Sequence, residues 1–184
     1  WSTIIWEMPI LATISELMHT LNGDTMKYNA EAEWEKSLQK GRQIWTNGLT
    51  LGDMGTRRRF TFDYQERVID ALIQSYAEVY EETGGHCGKF TGTSNVYFAM
   101  KKNIPCLGTM SHQCISFEEI VSGVFECNYN VMNKWSEVYD GNVGIFLYDC
   151  FGDRVFFNNL SKRMAMTFCG LRIDSGVEEE QVDM

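Results

Sequence analysis

The feature that most constrains this chain is an alternation of period. From residue 49 onward, short apolar runs of strand length take turns five times with longer segments whose apolar residues recur every three or four positions. No Asn-Gly hairpin signal stands between adjacent apolar runs. Strands separated by helical segments cannot pair through tight turns, so this order calls for parallel strands joined by helical crossovers. The fold class expected is α/β, a partial (β/α) barrel with parallel strands and outer helices.

The segments follow in order. Ile4 to Thr20 reads as an amphipathic helix, with Ile10, Leu11, Ile14, Leu17 and Met18 on one face, Pro9 tolerated near a first turn, and Asn22-Gly23 as its end. A polar helix from about Asn29 to Thr46 carries Trp34, Leu38 and Trp45 on one face and stops at Asn47-Gly48. Strands are expected at Leu49–Asp53, Lys89–Thr91, Ile104–Met110 (opened by Pro105), Val143–Tyr148 and Phe168–Ile173. Between them fall helices at Asp63–Tyr80, with Val68, Ala71, Leu72, Tyr76 and Val79 inward, and at Asn95–Lys102. A long helical stretch then runs through Phe117 and Trp135 to about Tyr139, and a last helix covers Arg154–Met166. The expectation is one incomplete α/β-barrel domain over 1–184: a helical lead-in at 1–48, successive β/α units at 49–176 and a solvated acidic tail at 177–184. The chain opens on Trp1 with the apolar pattern already running, which gives the further expectation of a piece of a longer product.

Composition narrows the function. A formal charge of −9 disfavours nonspecific binding to a nucleic acid backbone or to anionic lipid, so neither nucleic acid nor membrane is expected as a partner. Six cysteines without a Cys-x-x-Cys pair suggest reduced thiols in a cytoplasmic protein rather than a zinc ribbon or a disulfide scaffold. No apolar run approaches the roughly 18 residues of a membrane span.

In an α/β barrel the chemistry sits at the carboxyl ends of the strands. Those ends here are Asp53, Thr56 and Arg57-Arg58-Arg59; Thr93-Ser94-Asn95; Thr109, Ser111 and His112; Asp149; and Arg172, Asp174 and Ser175. Arginines suit phosphate or carboxylate, carboxylates suit a hydrated divalent cation, and hydroxyls and amides suit phosphate oxygens. Competing readings are weaker. Gly84-Gly85-His86-Cys87-Gly88-Lys89 lacks the first glycine and the final Ser or Thr of a phosphate loop; His86 and Cys87 lack a second ligand pair at metal spacing; His112 and Cys114 face differently near a helix start.

The segments Asp53-Met54-Gly55-Thr56-Arg57-Arg58-Arg59-Phe60, Gly92-Thr93-Ser94-Asn95-Val96, Gly108-Thr109-Met110-Ser111-His112, Asp149-Cys150-Phe151-Gly152 and Arg172-Ile173-Asp174-Ser175-Gly176 resemble, in order, the motifs of the nicotinate phosphoribosyltransferase family. Trp6-Glu7-Met8-Pro9-Ile10-Leu11-Ala12 with Ser15-Glu16-Leu17 resembles the helix that precedes them there. The resemblance implies a type II phosphoribosyltransferase-like fold. It also implies an enzyme that joins nicotinate to phosphoribosyl pyrophosphate, with ATP as co-substrate and Mg²⁺ as cofactor, in a homodimer with shared active sites. By resemblance His112 is the phosphorylated residue, and Asp149 and Asp174 hold ribose hydroxyls or the magnesium's water shell, with no direct metal ligand. Arg57 and Arg172 address the nicotinate carboxylate or the diphosphate; Asn95, Thr109, Ser175 and Gly176 line the substrate site.

Several positions depart from the family pattern. Met54 stands where a phenylalanine usually stacks on the pyridine ring, and a thioether is a less directional partner. Gln113 replaces a glutamate after the histidine and brings no charge to raise imidazole basicity. Ile173 replaces a histidine, Val177 an aspartate and Asp153 a threonine. These leave two alternatives beside the enzyme: a non-catalytic phosphate-binding or scaffold relative, and a nicotinamide-using phosphoribosyltransferase.

Overall fold

The structure is a computed structural model that describes residues 2–140 and 144–176. It is α/β with parallel strand pairs, and divides into two compact units, Trp1–Gly108 and Thr109–Met184. The expected acidic tail at 177–184, Val177 and the first residue of the expected strand at Val143 lie outside the described residues.

In the first unit, helix α1 (Ser2–Leu21) starts early enough that Pro9 falls inside the helix rather than in its first turn. Its apolar stripe stays open: Ile10, Ile14, Leu17 and Met18 are exposed, and among the described side chains of the helix Ala12 alone is buried. Helix α2 (Ala30–Thr46) begins where the Asn29 side chain accepts from the amides of Glu31 and Ala32, satisfying two donors that the first turn leaves unpaired. Strand β1 (Thr50–Asp53) leads through a 3-10 turn at Gly55–Arg58 to helix α3 (Phe62–Glu82), capped by Thr61. Strand β2 (Lys89–Thr93) and helix α4 (Val96–Lys102) follow.

The α2–α3 seam explains why Trp45 is fully buried. Gly41 carries no side chain, and a Cβ there would lie 2.2 Å from Ser75 Oγ, so only glycine permits this approach. Across the seam Trp45 Nε1 donates to Ser75 Oγ at 3.0 Å, and its ring meets Tyr76 and Phe90 edge-on. At the rim Arg42 reaches both Glu78 and Glu82.

β1 and β2 pair in parallel, Thr50 opposite Lys89 and Asp53 opposite Thr93, with α3 as the crossover. The expected third strand, Ile104–Met110, forms no strand and contributes an isolated parallel bridge between Thr93 and Cys106. Pro105 has no amide proton for a ladder, although its carbonyl accepts from Thr93 N at 3.2 Å. Gly92 makes this contact possible: its φ is +117°, and a Cβ there would sit 2.1 Å from Pro105 O. Gly92→Ala is therefore expected to destabilise the first unit by roughly 1–3 kcal/mol, read as a lowered urea midpoint.

The second unit contains α5 (His112–Ser122), α6 (Cys127–Val138), β3 (Ile145–Leu147), a 3-10 turn at Asp149–Phe151, α7 (Asp153–Asn159), α8 (Lys162–Thr167) and β4 (Gly170–Arg172). Two expected long helices are each broken in two. Gly123, at φ +80°, ends α5 with its amide on Glu119 O, while Ser161 accepts from Met164 N and starts α8 afresh. β3 and β4 pair in parallel, Phe146 opposite Leu171 and Leu147 opposite Arg172. Phe146 and Leu147 are fully buried, and Phe146 stacks on Phe156 and meets Phe168 edge-on. This core holds the ends of both strands, and hence the polar groups that follow them, in place.

Candidate active site

In each unit the parallel pairing brings strand-end residues together, and the two clusters are distinct in chemistry. In the first unit Asp53 is the hub. Its Oδ1 accepts from Gly55 N at 3.0 Å, and its Oδ2 accepts from Thr93 Oγ1 at 2.7 Å and Gln65 Nε2 at 2.9 Å. Thr56 Oγ1 in turn accepts from Gln65 Nε2 and from Asn95 Nδ2, while Asn95 Oδ1 caps α4. The expected residues Asp53, Thr56, Thr93 and Asn95 are thus bound into one network that fixes the turn carrying the three arginines. Gln65 was not singled out from sequence; an amide on a helix reads as solvated, yet this one is buried and joins both halves of the network.

The arginines separate. Arg57 pairs with Glu7 at 3.2 Å, Arg59 pairs with Glu16 and lies over the Phe62 ring, and Arg58 and Arg59 line a cleft of about 490 Å³ with Lys27, Tyr28 and Tyr64. Met54 is exposed beside them.

The second cluster gathers at the ends of β3 and β4. Asp149, one residue past the buried Tyr148, is 7% exposed at its side chain; its Oδ1 lies 3.3 Å from His112 Nε2 and its Oδ2 accepts from Ser175 Oγ at 2.5 Å. Asp174 Oδ2 approaches the same imidazole nitrogen at 3.7 Å, and Asp174 Oδ1 lies 3.3 Å from Arg172 Nε. Neither Asp149 Oδ1 nor Arg172 Nε has a hydrogen bond, although both are buried: the ion-pair distances hold but the alignment does not. Arg172 also donates from Nη1 to Met110 O at 3.0 Å, which ties the end of β4 to the loop that delivers His112. Thr109 is exposed on that loop, and Gly176 follows Ser175 at φ +90°.

So His112, Asp149, Arg172, Asp174 and Ser175 converge within the second unit, and Asn95 and Thr56 meet within the first. Cys150 was missed from sequence. Its thiol lies within 4.8 Å of the ligand atoms of His112 and Asp149, and burial, with the Asp149 charge beside it, pushes it up to about 11. Chemically, an imidazole flanked by two carboxylates, one of them ion-paired to a guanidinium, suits transfer between anionic groups. The fold and this cluster define an α/β protein with a polar, phosphate-compatible site at parallel strand ends.

Comparison with known proteins makes the assignment specific. Residues 49–184 match the nicotinate phosphoribosyltransferase (NAPRTase) family. The chain is 33% identical over 190 aligned residues to a nicotinate phosphoribosyltransferase of Methanosarcina mazei, covering 95% of this chain and 44% of that protein. It is 32% identical to a probable nicotinate phosphoribosyltransferase of Schizosaccharomyces pombe, covering 99% and 44%. Among solved structures, the nicotinate phosphoribosyltransferase of Porphyromonas gingivalis superposes with a TM-score of 0.83 at 36% identity, covering 97% of this chain and 43% of that one. A putative nicotinate phosphoribosyltransferase of Saccharomyces cerevisiae gives 0.85 at 26%, covering 97% and 42%. This chain belongs to the nicotinate phosphoribosyltransferase family, and it spans a little under half the length of these relatives. Among the described residues no helix is long and apolar enough to cross a membrane.

Proposed function

We propose that the chain carries part of the catalytic apparatus of a cytoplasmic nicotinate phosphoribosyltransferase, forming nicotinate mononucleotide and pyrophosphate from nicotinate and phosphoribosyl pyrophosphate for NAD biosynthesis, with ATP as co-substrate. The observation that carries this reading is the placement of His112 Nε2 between the carboxylates of Asp149 and Asp174, with Arg172 ion-paired to the latter.

Displacing pyrophosphate builds positive charge at the anomeric carbon and negative charge on the leaving group. Asp149 and Asp174 stabilise the first and hold the ribose hydroxyls; Arg172 and Arg57 attract the diphosphate or the nicotinate carboxylate. Asn95, Thr109, Ser175, Gly176 and Met54 line the substrate site. His112 takes the terminal phosphoryl group of ATP with release of ADP, and water later removes it as inorganic phosphate. The oxygen-rich pair Asp149 and Asp174 fits the water shell of Mg²⁺, and the buried Asp149 Oδ1 has no other hydrogen-bond partner. When bound, Mg²⁺ neutralises charge on the diphosphate. The strand pairs are segments of a (β/α) barrel completed outside this chain, and the open apolar stripe of α1 is covered in a longer homodimeric protein.

Calorimetry with phosphoribosyl pyrophosphate and nicotinate, followed by product analysis, tests the reading. Binding with turnover supports it; binding without product from the longest gene product would favour a non-catalytic relative instead. His112→Ala is expected to remove the stimulation by ATP while phosphoribosyl pyrophosphate still binds.

A further inference from the structure

We propose that His112, Asp149 and Cys150 form a binding site for a thiophilic divalent cation of the zinc class. The three residues offer one nitrogen, one oxygen and one sulfur, all within 4.8 Å of one another. A tetrahedral zinc site, with metal–ligand bonds of about 2.0–2.3 Å, needs its ligand atoms roughly 3.3–3.7 Å apart. The His112 Nε2 to Asp149 Oδ1 separation of 3.3 Å already has that value. The Cys150 sulfur, within 4.8 Å of both atoms, completes the set on cation binding by a side-chain adjustment of about 1 Å.

A second observation is independent of that spacing. Asp149 Oδ1 is buried in a side chain only 7% exposed, and no hydrogen bond satisfies it, so it is a buried acceptor without a donor beside the imidazole nitrogen. Its sister oxygen is held by Ser175 Oγ, the kind of outer contact that orients a ligating carboxylate. The half-exposed imidazole leaves the fourth position to water or to Asp174 Oδ2, 3.7 Å from the same nitrogen. A sulfur and an imidazole select zinc or cobalt over magnesium, which prefers oxygen alone; this site shares Asp149 with the hydrated one above, so the two cations exclude each other. The cation itself stabilises the thiolate, which removes the need for a thiol already ionised.

One consequence rests on the proposed function: a cation on His112 Nε2 blocks phosphorylation there, so zinc would inhibit the stimulation by ATP. The binding site itself does not depend on that reading.

The test is titration of the purified chain with Co²⁺, followed by absorption spectroscopy. A thiolate-to-cobalt charge-transfer band is expected, and Zn²⁺ should abolish it by displacement and protect Cys150 from alkylation as read by mass spectrometry. Cys150→Ser should remove the band and weaken Zn²⁺ binding at least about tenfold, His112→Gln should weaken it similarly, and Cys114→Ser should leave both unchanged. Circular dichroism of each variant confirms the fold. A band that survives Cys150→Ser, unprotected Cys150, or unchanged zinc affinity in both ligand variants overturns the site. Cobalt binding at Cys150 in a protein that makes no nicotinate mononucleotide would refute the enzymatic reading alone, and turnover without cobalt binding would refute the metal site alone.

Discussion

Asp149→Asn is expected to lower kcat/KM for phosphoribosyl transfer by about 100–1000-fold, with thermal stability changed little. The carboxylate is buried, receives the Ser175 hydroxyl at 2.5 Å and stands 3.3 Å from His112. An asparagine keeps the shape and still pairs with a hydroxyl, which both donates and accepts, so the fold persists. The charge is lost, and with it the stabilisation that the proposed function assigns to this carboxylate at the cationic sugar carbon. Steady-state kinetics and a melting curve on the same preparation separate the two effects: a large fall in rate with an unchanged midpoint is expected. Equal loss of both would show that Asp149 is a packing residue.

The largest stability effect is expected at Phe146. Replacing it with alanine should cost the second unit about 3–5 kcal/mol. The side chain is fully buried, with Phe156 and Phe168 on two sides at ring separations of 5.7 and 5.2 Å. Those neighbours belong to α7 and to the approach to β4, which closing the cavity would require to move together. Because Phe146 lies on β3, which leads through Tyr148 into the 3-10 turn that starts at Asp149, its loss should also disorder the His112 cluster. Urea unfolding of the second unit's signal, compared with Phe157→Ala at a partly exposed ring, measures the difference; similar small losses in both would contradict the packing described.

How much of this was legible in the sequence varies by element. The helices from Asn29 and Asp63 were legible because long apolar periodicity and Asn or Gly stops agree, and the structure moves their ends by only a few residues. Parallel pairing followed from the lack of hairpin turns. The interruptions at Gly123 and Ser161 were hidden because apolar spacing continues across them, and a single cap residue decides the break. The third strand was overestimated: proline is tolerated at a strand's first position, and the sequence does not show that pairing here stops at a bridge beside Thr93.

The charged members of the second unit's cluster were legible, since strand-end Asp, Arg and His stand out against apolar runs, whereas Arg57 pairs with Glu7 in the first unit. Gln65 and Cys150 did not stand out. The first is joined to Asp53 across a turn. The second lies far from His112 in sequence and reaches it only through the tertiary fold of the second unit. α1 is the converse case: the helix forms where it was expected, but among the described residues nothing buries Ile10, Ile14 and Leu17.

The most direct measurement is nicotinate mononucleotide formation by the longest gene product containing this chain, with and without ATP, for the native protein and His112→Ala. The account predicts product from nicotinate and phosphoribosyl pyrophosphate, stimulated by ATP in the native protein and unstimulated in the variant. No product from the native protein, or equal stimulation in both, would contradict it.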